Sequence, residues 1–143
     1  MGKKEKEIAR VVLDTNVLIS ALLFRGGLSK IRDLWKTGKI IPVLSRETFE
    51  EFKRVLEYPK FRLSKDEIRA IIEDEVLPYF EVVEVTRKVT GVCKDPDDDK
   101  FLACAVSAGV KIIVSGDPHL LNLSRYGRVR IIRGDDLLRS ITL

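Results

Sequence analysis

The chain has 143 residues, 45% of them hydrophobic and 34% charged, enough for one well-buried core and unlike either a disordered or a membrane-embedded chain. Its 26 Lys and Arg against 22 Asp and Glu leave a net charge of +4, which permits nucleic-acid binding without demonstrating it. No run approaches the ~18 apolar residues of a membrane-spanning helix. Residues 1–7 mix both charge signs with no apolar signal segment after them, so a cytoplasmic location is expected. A charged tail over residues 1–9 ahead of one domain completes the expected layout. Cys93 and Cys104 lack metal-ligand spacing and read as free thiols.

Residues 10–14 form an apolar run ending in an acid, and residues 16–24 then take helical spacing through Val17, Leu18, Ala21 and Leu22. A helix follows from Ser29, as N-cap, to Lys36, closed by Gly38, and residues 40–44 form a strand. Ser45 opens an amphipathic helix to Glu57, with Phe49, Phe52, Val55 and Leu56 on its apolar face. Ser64 and Glu67 make a capping box for a helix carrying Ile68, Ile71, Ile72 and Val76. Residues 80–85 alternate as an edge-like strand, Asp95-Pro96 opens a helix to Ala108, and residues 111–114 are β-rich. A turn over residues 115–118, a short helix near His119, a strand over 129–132 and a helix over 135–140 finish the chain. Strands separated repeatedly by helices predict an α/β fold with a parallel sheet covered on both faces.

The acids fall where such a sheet places its sites. Ligands bind beyond the carboxyl ends of parallel strands, and Asp14 and Asp117 each follow a strand at that end. Asp14 also suits the N-cap of the next helix, so both readings stand for it. Asp95, Asp97, Asp98 and Asp99 crowd one helix start, more carboxylates than capping and the helix dipole explain. Asp99 shares a stripe with Leu102, Ala103 and Val106, so it faces packed protein or a cleft and needs a cation or several donors. Glu50 is read as a surface partner of Arg54, whereas Glu51 borders the apolar stripe with Thr48 and Val55 and points toward the sheet. Acids converging without an equal number of basic partners suit a hard cation such as Mg²⁺, whose substrate is then a phosphate ester. His119 is the only histidine, which excludes a nuclease working through a histidine pair.

The segments Val-Val-Leu-Asp14-Thr15-Asn16, Ser45-Arg-Glu-Thr-Phe-Glu-Glu51, Asp95-Pro-Asp-Asp-Asp99-Lys-Phe-Leu-Ala and Val-Ser115-Gly-Asp117 occur in an order that resembles the PIN-domain ribonucleases. The likeness is strongest to the short prokaryotic toxin components of toxin–antitoxin pairs. The resemblance implies a three-layer α/β/α sandwich with a central parallel sheet of about five strands. It implies hydrolysis of RNA phosphodiester bonds by a metal-activated water, with Mg²⁺ or Mn²⁺ held by Asp14, Glu51, Asp99 and Asp117. Asp98 is the auxiliary ligand and Asn16 and Ser115 the supporting residues, while the sequence leaves open which of Asp97, Asp98 and Asp99 meets the cation directly. RNA, an antitoxin protein and a second copy in a homodimer are the implied partners, with no membrane.

Such an acidic site repels a polyanion unless cations flank it, and Arg25, Lys94, Lys100 and Arg125 are the candidates for RNA binding. Two other readings compete. One is a non-catalytic RNA- or protein-binding module on the same fold, and the other a nuclease of ribosomal RNA processing or RNA turnover. A phosphatase of the Asp-x-Asp type fits poorly, because Asn16 stands where its second acid belongs.

Overall fold

A computed structural model describes residues 9–141, and most of the charged N-terminal tail lies outside them. Ala9, placed in that tail from the sequence, instead begins the first strand, β1 (Ala9–Leu13). Helices α1 (Thr15–Leu23) and α2 (Ser29–Lys36) lead to β2 (Ile40–Ser45), α3 (Arg46–Leu56), α4 (Lys65–Ala70) and β3 (Glu81–Val83). The second half runs α5 (Asp99–Ala108), β4 (Ile112–Val114), α6 (Pro118–Leu123), β5 (Arg125–Tyr126), β6 (Val129–Ile132) and α7 (Gly134–Ile141).

The strands lie in the order β3-β2-β1-β4-β6-β5, all parallel except for the β5–β6 pair. Side chains alternate across a strand, and the core divides accordingly. Val11, Leu13, Ile40, Leu44 and Val114 pack on one face with α1, α2 and α3, while Val12, Val43 and Ile113 pack on the other with Phe101, Leu102 and Leu120. The three-layer α/β/α arrangement is therefore present, with the five expected parallel strands and one added antiparallel strand.

Local signals account for most boundaries. Ser45 caps α3 by accepting from the Thr48 amide, and Ser64 with Glu67 forms the capping box of α4. Gly38, at φ +77°, closes α2, letting the Lys39 amide reach back to the Leu34 carbonyl at 2.8 Å. Three details differ from the sequence expectation. Ser29 is the first residue of α2 and not its cap, because its hydroxyl donates to the Gly26 carbonyl. The helix after Ser64 widens into a π-helical turn over Ile71–Val76, which brings Ile71, Ile72 and Val76 onto the core. The two-residue strand β5 is new, turning back onto β6 through Gly127 at φ +57°.

Candidate active site

The chain adds β2 and β3 on one side of β1, then crosses over to add β4 and β6 on the other. The reversal between β1 and β4 opens a crevice at their carboxyl ends. Asp14 emerges there from β1, with its amide bonded to the Val114 carbonyl at 3.0 Å. Ser115-Gly116-Asp117 emerges from β4 beside it. Asp14, Glu51, Asp98 and Asp117 all line a cleft of about 240 Å³ at this edge, together with Asp95 and Asp97 from the same turn as Asp98 and with Asn16, Tyr58, Lys60 and Phe61.

Each acid is held by the element that delivers it. Asp14 is the N-cap of α1, accepting from the Val17 amide at 2.9 Å, and its other oxygen accepts from the Ser115 hydroxyl. The capping and clustering readings are thus both realised in one side chain. The Ser115 oxygen in turn accepts from the Asp117 amide at 3.0 Å, which ties the two loops together. Asp117 caps α6 through the His119 amide. Glu51, projected inward from α3, accepts from the Thr15 hydroxyl and from the Lys100 ammonium at 2.9 Å.

The acidic run at 95–99 behaves differently from the expected alignment. Asp95 caps a 3₁₀ turn over Pro96–Asp98, and the α-helix proper begins only at Asp99. Three residues per turn, in place of 3.6, advance the phase ahead of the helix. Asp98 faces the cleft as a result. Asp99, 5% exposed, turns the other way and accepts from the Gly91 and Cys93 amides at 3.0 and 2.7 Å. The donors that a buried carboxylate at 99 requires are supplied by this loop, so Asp99 lies outside the cleft that Asp98 lines.

The electrostatics follow from that arrangement. Burial pushes the Asp14 carboxyl up to about 6, opposed by its hydrogen bonds and helped by the charges of Asp117 and Glu51. Burial, a hydrogen bond with Asp117 and the charges of Asp117, Asp95 and Asp14 push Asp98 up to about 7. Carboxylates that raise one another in this way fit a divalent cation. Among the described residues no three acidic, His or Cys side chains close around a common point.

Four cations were expected to flank the acids. Lys100 lies inside the cluster, paired with Glu51 and 4.0 Å from Asp97, and is only 18% exposed, so it serves as an internal counter-charge. Arg25 and Lys94 are exposed. Arg125 pairs in register with Arg130 in the amino-terminal half of β6, away from the cleft. Glu50 pairs with Arg46 at 3.0 Å and not with Arg54. Thr15, Tyr58, Lys60 and Phe61 reach the cleft without having been singled out from the sequence. Thr15 had a signal in its place beside Asp14, whereas the 58–61 turn had none, since only the fold brings it to α1. A larger hollow of about 700 Å³, bordered by Arg87, Lys88, Lys111 and Arg128, opens at the opposite ends of the strands and contains no carboxylate.

An acidic cleft at the switch point of a doubly covered parallel sheet defines the class. Residues 10–119 match the PIN domain, and the chain belongs to that family. It is 35% identical over 127 residues to an uncharacterized protein of Methanocaldococcus jannaschii, MJ1680, covering 86% of this chain and 80% of that one. FitAcB from Neisseria gonorrhoeae shares the fold with a TM-score of 0.59 at 16% identity, covering 87% of this chain and 97% of that one. VapBC2 from Rickettsia felis, solved with a DNA fragment from its promoter, shares it with a TM-score of 0.57 at 9% identity, covering 87% and 98%.

Proposed function

We propose that this protein is a Mg²⁺- or Mn²⁺-dependent endoribonuclease whose working acids are Asp14, Glu51, Asp98 and Asp117. The observation that carries the proposal is the meeting of these four carboxylates, from four separate segments, in one cleft. Burial and mutual repulsion hold Asp14 and Asp98 above the ordinary carboxylate range, to about 6 and about 7, so the cluster gains from a cation. When bound, that cation supplies charge stabilisation at the scissile phosphate and a water of lowered pKa.

The chain's own residues do the positioning. Ser115 fixes one oxygen of Asp14 and the amide of Asp117, holding two of the acids in register. Thr15 and Lys100 orient Glu51, and the Lys100 ammonium offsets part of the cluster's negative charge. Asp99 supports the site indirectly by fastening the 91–93 loop to the start of α5.

A toxin paired with an antitoxin protein, acting as a homodimer in the cytoplasm, is the setting we infer. That inference rests on the motif resemblance and is supported by the fold shared with FitAcB and VapBC2. The test is incubation of the purified protein with single-stranded RNA in Mn²⁺ and in chelator. Cleavage with Mn²⁺ to 5′-phosphate and 3′-hydroxyl ends, abolished by chelator, is expected. Chelator-resistant cleavage, or none with any divalent ion, would overturn the proposal.

A further inference from the structure

The acidic cleft is the first of three connected depressions. It shares Asn16, Lys60 and Phe61 with a groove of about 460 Å³. That groove shares Ser20 and Phe24 with a hollow of about 180 Å³ that reaches Arg25 and Gly26. The track therefore runs from the carboxylates, over the 59–61 turn, to the end of α1. No carboxylate lines its second or third segment.

Its lining sets two rings and two cations, Phe24 and Phe61 with Lys60 and Arg25, among the aliphatic Ile19, Leu23, Leu28 and Leu63. Phe24, at the carboxyl end of α1, is 54% exposed, and its ring stands 6.3 Å from that of Phe61 at an interplanar angle of 58°. Lys60 lies over the Phe61 ring with its ammonium 5.1 Å from the centroid, and Arg25 is exposed beyond Phe24. Neither cation forms an ion pair with a described residue. Lys100, by contrast, is engaged with Glu51, and Arg125 is remote from the cleft. Lys60 and Arg25 are thus the cations placed to offset the acids along a path that leads out of the cleft.

We propose that this track seats the unpaired nucleotides next to the scissile bond, with a base stacked on the exposed Phe24 ring, Phe61 backing that ring, and phosphates beside Lys60 and Arg25. An unpaired strand alternates flat π-faces with phosphate charge, which matches a lining of rings and cations. A duplex keeps its bases stacked inside and offers the rings nothing. The protein therefore selects single strands through this track. The inference rests on the ribonuclease reading of the cleft, and its test is made independent of catalysis.

The probe is a mixed-sequence single-stranded oligoribonucleotide of about ten nucleotides, carrying 2-aminopurine at successive positions and bound by the full chain in chelator. Stacking quenches 2-aminopurine, so one or two adjacent positions should dim on binding to the parent. Phe24→Ala should abolish that quench and weaken binding about tenfold, Phe24→Trp should restore both, and the matching duplex should bind at least about tenfold more weakly. Lys60→Ala should lower the slope of log affinity against log salt by about 0.7. Because Phe24 is over half exposed, its variants should melt with the parent. Uniform fluorescence at every position, or parent-like affinity in folded Phe24→Ala, would overturn the track. So would a Phe24→Ala protein that turns from dimer to monomer with RNA affinity intact, which would assign this face to a second copy of the chain. Failure of the ribonuclease reading would show separately, as a parent that binds and quenches but never cleaves in Mn²⁺.

Discussion

Asp14→Asn should make the metal-free protein more stable at neutral pH. Asp14 is 4% exposed, and its carboxyl is raised from 3.8 to about 6, with burial as the largest cause. A folded-state pKa above the unfolded value means that the folded protein holds the proton more tightly. Stability is then full below about pH 4 and is lost as pH rises toward 6, a loss of about 3 kcal/mol at pH 7.5. Asn removes the ionisation while keeping an oxygen to cap α1 through the Val17 amide, since Asn and Asp cap equally well. Allowing for an altered bond to Ser115, the net gain is about 1–3 kcal/mol, or roughly 3–10 °C in Tm for a domain of this size. Calorimetric melts in chelator at pH 7.5 should show that gain, and at pH 4 it should vanish. Saturating Mn²⁺, at about 100 times its Kd, should stabilise the parent by about 2.7 kcal/mol and the variant by little. An Asp14→Asn protein that is destabilised at pH 7.5 and keeps the full Mn²⁺ response would show that Asp14 is only a cap.

Other changes separate the residues of the site from their neighbours. Glu51→Gln should reduce RNA cleavage by about 100-fold or more, whereas Glu50→Gln, which touches only exposed Arg46, should cleave within about twofold of the parent. Asp99→Asn leaves either the Gly91 or the Cys93 amide without its acceptor, so melts should show a cost of about 1–3 kcal/mol with the Mn²⁺ shift retained. The Cys93 thiol, pushed up to about 12 by burial and then by Asp99, should resist alkylation at pH 8 and react faster in that variant. In RNA binding titrated with salt, Arg25→Ala should flatten the slope and Arg125→Ala should leave it unchanged.

The sequence carried the scaffold because its signals were local. Asp14 directly after strand β1, the Ser45 cap ahead of Glu51 and the Ser115-Gly116-Asp117 turn after β4 are each written within a few residues. Parallel topology then fixes which strand ends meet. What escaped was either too short or dependent on contacts. A two-residue strand cannot display alternation, so β5 was visible only through its pairing with β6. A uniform α-helical count from Asp95 could not register the 3₁₀ turn that exchanges the directions of Asp98 and Asp99. Helical spacing gave Glu50 two equivalent basic neighbours, and the rotamer chose Arg46 over Arg54. Lys60 and Phe61 carry no motif, and they border the cleft because the turn after α3 packs beside α1.

We infer that a cation-binding acid cluster including Asp98, and not Asp99, hydrolyses RNA. The most direct test is the single-turnover rate of RNA cleavage in Mn²⁺ for the parent, Asp98→Asn and Asp99→Asn, with each variant assayed well below its melting temperature. The expected result is a loss of about 100-fold or more for Asp98→Asn and less than about tenfold for Asp99→Asn. Parent-like cleavage by Asp98→Asn together with an inactive but folded Asp99→Asn would contradict the site as drawn from the structure.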